Sequence, residues 1–340
     1  MLSYRNIIAT IIAVAAITSC NKSQLDLAPI SSFDVQADSM NVSHDGASYS
    51  LGSPAIFNFT GNPAAITFFS GEVGHRYNYR NRTSATGISR LIFTNALNAG
   101  TQANSLHVML STDFKGVVGS RTVIQGVVTT NTLVYDTAAT QANIAAASWT
   151  DVTPSKLATN ATAVIDTIDL SAYAAAGKKV FVAFKYTAQA GSVQNKWTIT
   201  NLTLSNNLTD GTIYNIGNLA AYNVPILNYG GTTFNAGWMA FPVSNTYNWA
   251  ITAGSSLVIT GASTAAAATS NAEAWTLMGG CDLTTVTPDI GVAVKNISVA
   301  PLPFKYLYTA AGKYDAVFAA TNLTTYTQDS ITRKIPIVIK

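Results

Sequence analysis

The sequence predicts an all-β protein, and three observations carry that prediction. Only 10% of the 340 residues are charged, against a usual share of about 25%, and Glu occurs just twice, at Glu72 and Glu273. A chain so short of Glu and Lys has little material for surface helices. Fifteen Tyr and 13 Phe join many Thr, types that favour strands. Along the whole body, short runs of alternating apolar residues are separated by Gly, Asn, Asp and Ser, the pattern of sandwiches and jelly rolls. This composition excludes a coiled coil, a helical bundle, a disordered chain and a disulfide scaffold. The net charge of +3 is too weak for an electrostatic nucleic-acid binder.

Residues 1–19 have one cation, Arg5, and an apolar run from Ile7 to Ile17. That run is too short for a membrane span of about 20 residues and fits a secretory signal peptide. It ends in Ile17-Thr18-Ser19-Cys20, which resembles a bacterial lipobox. The resemblance implies a lipidated Cys20 as the first mature residue, held stably because two or more acyl chains are present. Residues 20–30 then form a polar tether. Cys281 is the one other cysteine, so with Cys20 lipidated no internal disulfide can form. The expectation for Cys281 is a buried, inert thiol.

Beyond the tether, Phe33-Asp34-Val35, AIFNF (55–59) and ITFFS (66–70) read as strands. In VFVAFKY (180–186), Val180, Val182, Phe184 and Tyr186 share one face while Phe181 and Ala183 occupy the other, so this strand is covered on both sides. In WTITNLTL (197–204) the apolar phase shifts after Asn201, which predicts a bulge. The Ala-rich stretch 261–270 lacks periodicity and reads as loop. Helix is expected to be a turn or two at most, around 170–176. Tyr314, Ala316, Phe318 and Ala320 alternate in a late strand. Ile335, Ile337 and Ile339 form the last one, which Pro336 assigns to an edge or a bulge.

STDFKG (111–116), WTDVT (149–153), residues 168–186 and WTITNLTL (197–204) together resemble the choice-of-anchor or cleaved-adhesin jelly roll, a MAM-like β-sandwich. Three more stretches, AAITFFSGEVGHRYNYRNR (64–82), TPDIGVAVKN (287–296) and FKYLYTAAGKYDAVFAATN (304–322), resemble a Bacteroidetes lipoprotein family of unknown function found beside glycan-uptake systems. Tyr306-Leu307-Tyr308, a turn through Gly312 and the following strand are similar to the closing hairpin of a PKD-type immunoglobulin-like domain. The expected organisation is an Ig/PKD-like sandwich split between 31–82 and 302–340. A jelly roll at 83–208 and an additional β-rich segment at 209–301 lie between its halves. Tandem domains in simple sequence are the alternative.

No nucleophile elbow, P-loop, zinc-protease helix or C-x-x-C is present, and the chain is expected not to be an enzyme. Glu72, His75, Arg76 and Arg80 form the densest ionisable cluster. It reads either as an acid–base pair of Glu72 with His75 or as a structural carboxylate. His107 alternates with Leu106 and Val108 in a strand and reads as a solvated or satisfied histidine. Asp113 and Asp151 lie in turns, where they suit either a structural calcium, which takes oxygen ligands, or the turns themselves. Trp238, Tyr247 and Trp249, with Tyr222 and Tyr229 shortly before, lie in a Gly-, Asn- and Pro-rich region. They are candidates to stack on sugar rings, and core packing is the competing reading.

The expected function is a membrane-anchored, non-catalytic glycan-binding lipoprotein of a polysaccharide-uptake system. Its partners would be an oligosaccharide or polysaccharide and outer-membrane uptake proteins. It would sit on the periplasmic or cell-surface face of the outer membrane. A cell-surface adhesion or assembly module binding protein is the alternative. A glycoside hydrolase, which needs two carboxylates about 5–9.5 Å apart, comes third.

Overall fold

A computed structural model describes residues 30–39, 42–43, 45–124, 130–175, 177–219, 238–252, 254–298, 301–323 and 328–340. The signal segment, Cys20, Tyr222 and Tyr229 lie outside the described residues. The chain is all-β with one described α-helix, and it divides into two compact units. The first combines residues up to Asn81 with Pro288–Lys340, and the second is Arg82–Thr287.

The first limb supplies β1 (Asp34–Ala37), β2 (Val42–Ser43), β3 (Gly46–Tyr49), β4 (Ala55–Thr60) and β5 (Ala65–Phe69).

The second unit follows with β6 (Ile88–Ala99), β7 (Leu106–Ser111), β8 (Gly119–Ile124), β9 (Thr130–Tyr135) and α1 (Thr137–Ala146). Next come β10 (Thr150–Asp151), β11 (Val164–Asp169), β12 (Phe181–Ala188), β13 (Lys196–Asn207) and β14 (Ile213–Asn218). It ends with β15 (Trp238–Ser244), β16 (Ala250–Thr252), β17 (Ser256–Thr260) and β18 (Ala272–Met278). Its two larger antiparallel sheets run β10-β7-β12-β18-β15 and β11-β6-β13-β17-β16, with β14 paired to β13, and β8 and β9 form a separate two-stranded sheet. Strands β14–β18, which come from the expected β-rich segment at 209–301, pair into the two sheets that the preceding residues begin.

The double coverage expected of 180–186 is present. Val180, Val182, Phe184 and Tyr186 enter the main core, while Phe181 and Ala183 join a second core on the other face with Phe114, Ile144 and Trp275. The bulge is present too: the β13–β6 register shifts between Thr200 and Thr203, where Asn201 takes a φ of 50°. The helix expectation needs correction. Among the described residues around 170–176 there is a three-residue turn, Ser171–Tyr173, and the helix is α1. Asp136 caps it by accepting from Ala139 N at 2.8 Å, a favoured arrangement at a helix start. Ile144 is its apolar anchor in the second core.

The return limb adds β19 (Val292–Lys295), β20 (Phe304–Tyr306), β21 (Gly312–Leu323) and β22 (Gln328–Ile339). In the first unit, one sheet runs β1-β4-β20 and the other β19-β5-β21-β22-β3-β2. Both limbs thus contribute to both sheets. Between them the Phe57 ring meets Phe318 at 4.9 Å and Phe68 at 5.6 Å, contacts that add about 0.5–1.5 kcal/mol each beyond area burial. β22 is not an edge strand: it pairs with β21 throughout and, over Ile337–Ile339, in parallel with β3. Pro336 immediately precedes that second ladder.

Candidate functional site

The site grows from the turn that follows β5. Gly71 has a φ of 87°, and a Cβ there would lie 2.9 Å from the Asp315 backbone, so only glycine lets the loop pass this close to β21. Gly71 N donates to His75 O at 3.0 Å and His75 N to Glu72 O at 2.9 Å, closing the turn.

Glu72 accepts from Tyr306 Oη at 2.6 Å, from Thr309 N and Oγ1 at 3.0 and 2.7 Å, and from Ser70 Oγ at 3.2 Å. Burial pushes its pKa up, but the bonds from Tyr306, Thr309 and Ser70 together outweigh it and hold the carboxyl below its ordinary value. Glu72 is a structural carboxylate, and its partners are Tyr306 and Thr309 of the return limb with the neighbouring Ser70, rather than His75. The His75 Nδ1 instead faces Ile290 O at 2.6 Å, so no Glu72–His75 acid–base pair forms. Because the folded pKa is depressed, this stabilisation is present above the ordinary value of 4.5 and is lost as pH falls through the lowered pKa. Melting the first unit across pH 3–6 should therefore show an acid-side loss that Glu72→Gln flattens. An identical pH profile in the variant would contradict this assignment.

The turn then presents a row of arginines and tyrosines. Asp289 accepts from Arg76 N and Nε, both at 2.9 Å, while its own N donates to Tyr79 O at 3.1 Å. Arg76 lies 4.5 Å over the Tyr79 ring and Arg80 lies 3.8 Å over Tyr77. The Tyr77 ring packs edge-on against Phe69 at 5.3 Å. Tyr79 remains 36% exposed. Together with Asn78 these rings form one wall of a groove of about 550 Å³, within the usual range for small-ligand sites. Its other sides come from Asp45, Lys313, Tyr314, Asp315, Lys334 and Pro336. Lys313 pairs with Asp45 at 3.0 Å and Lys334 with Asp315 at 2.7 Å.

The structure does not build the site on the tryptophans. Trp238 and Trp249 are only 2% and 4% exposed and lie in the main core of the second unit, 5.7 and 6.2 Å from the Phe184 ring. Such indoles have no face to offer a sugar. Tyr247 is half-buried against the same core.

Asp113 accepts from Ser111 Oγ and Ser148 N at 2.8 and 2.9 Å. Asp151 sits in β10, where it meets His107 Nδ1 at 2.8 Å and Thr153 N at 3.0 Å. Among the described residues no group of three His, Cys, Asp or Glu is placed to hold a metal. Cys281 is a buried thiol whose pKa burial pushes up to about 12. Sequence reasoning missed Tyr77, Tyr79 and the lysine–aspartate pairs. The available signal was RYNYR directly after a glycine-flanked turn, where tyrosines alternate with polar residues outside any strand.

Residues 19–223, more than half of the chain, match the family described as a domain of unknown function, DUF5017. No curated protein and no solved structure matches the chain.

Proposed function

We propose that this chain, which belongs to the DUF5017 family, is a lipid-anchored, non-catalytic glycan-binding protein of an outer-membrane polysaccharide-uptake system. The groove beside Tyr77–Tyr79 is where it holds sugar. The observation that carries this reading is the exposed Tyr79 ring, fixed by Arg76 beside donors and acceptors from Asn78, Lys313, Asp315 and Lys334. A tyrosine offers a large apolar face with a polar tip at small entropic cost, and the surrounding groups suit ring hydroxyls. Hydrolysis has little support. Glu72 is committed to Tyr306 and Thr309, while Glu273 accepts from Trp275 Nε1 at 2.7 Å and pairs with Lys185 at 3.3 Å. The two glutamates also belong to different units.

Two measurements test the reading. Tyr79→Ala should weaken binding of a glycan selected from an array by about 1–3 kcal/mol, the scale of an interface anchor, with the melting temperature unchanged. Unaltered affinity would remove the groove from the account. Cys20→Ser should move the protein from the membrane fraction to the soluble one and abolish acyl labelling. A wild-type N-terminal peptide without lipid in mass spectrometry would refute the anchor.

A further inference from the structure

We infer that the groove beside Tyr79 selects neutral glycans and discriminates against acidic ones; this rests on the reading of the groove as a sugar site. The charges that line it come in matched pairs. Lys313 is held by Asp45, Lys334 by Asp315, and Arg76 by Asp289 just behind the wall, all at 2.7–3.0 Å. Each cation therefore already faces a carboxylate. A uronate or a sulfate entering the groove would have to displace one of these carboxylates or lie against it, a like-charge juxtaposition that costs affinity.

A hydroxyl faces no such conflict, because it both donates and accepts. A lysine–aspartate pair presents a three-donor group and an acceptor-only group side by side, which matches two neighbouring hydroxyls of one sugar ring. Lys313 lies on β21 and Lys334 on β22, so the two pairs form part of the lining that surrounds Tyr79. The ring supplies stacking, and the pairs read hydroxyls without favouring net charge.

The test uses the full-length protein and the Asp45→Asn/Asp315→Asn double variant. Both are titrated with neutral oligosaccharides and with uronate-containing and sulfated ones from a glycan array. The four groups are exposed and each pair adds little to stability, so the variant is expected to fold, and a thermal melt checks this. Wild type should bind neutral members only, with Kd changing by less than about twofold between roughly 50 and 500 mM salt, because no net charge is being screened. The variant, with both lysines stripped of their carboxylates, should gain binding to acidic members and lose it at high salt. Tighter binding of acidic than neutral glycans by wild type overturns the inference while leaving the groove a sugar site. So does a folded variant that gains no acidic ligand. Wild type that binds no array member removes the sugar site itself, and the inference with it.

Discussion

Asp289→Ala should destabilise the first unit by about 3–5 kcal/mol, the cost of removing one partner from a buried ion pair. The Asp289 side chain is fully buried, and its Oδ2 holds both the backbone N and the Nε of Arg76. Removing it leaves the guanidinium, itself only 19% exposed, in a poorly solvated place without that carboxylate. The loss extends to function, because the same contact positions the turn that carries Tyr77 and Tyr79. Urea denaturation with sugar titration should show both effects together. Asp289→Asn keeps an acceptor for the Arg76 N–H groups and should lose less of each. A melting temperature unchanged in Asp289→Ala would show that the ion pair does not hold the turn.

Trp238→Ala and Trp249→Ala should each cost about 3–5 kcal/mol of stability through loss of a large buried ring, with sugar affinity per folded molecule unchanged. The two indoles differ in their polar ends. Trp249 Nε1 donates to Ala274 O at 3.2 Å, whereas the N–H of Trp238 meets no hydrogen-bond partner among the described residues. Trp238→Phe should therefore be much milder than Trp238→Ala, since it retains most of the volume and leaves no new polar group unsatisfied. If either alanine variant kept its stability and lost sugar binding, the tryptophans would return as the site.

Much of the architecture was readable where a strand has one clear neighbourhood on each face. VFVAFKY displayed both its faces, and Asn201 marked the bulge through its phase change. WMAFPVS, within the expected binding region, was not readable as a strand. Trp238 enters one core while Met239 and Phe241 enter the other, so burial on both sides removes the polar–apolar alternation that identifies a strand. The helix Thr137–Ala146 was missed for a related reason. Only Thr140 and Ile144 are buried in it, too few for an amphipathic stripe.

The groove was hidden by distance along the chain. Asp45 meets Lys313 across 268 positions and Glu72 meets Tyr306 across 234, and no local spacing announces such pairs. What the sequence did display was their local half. SGEVGHRYNYR reads as an ionisable cluster through its carboxylate, histidine and arginines. The chemistry of Glu72 is satisfied inside the fold, and the exposed part of the same motif is aromatic.

The central claim, that sugar is captured without turnover in the Tyr79 groove, is tested most directly by calorimetric titration of wild type and Tyr79→Ala with one neutral oligosaccharide selected on the array, with a reducing-end assay on the same samples. The account predicts saturable binding to wild type, affinity in the variant weakened by about 1–3 kcal/mol, and no reducing ends released by either. Equal affinity in the two proteins, or steady release of reducing ends by wild type, would contradict it.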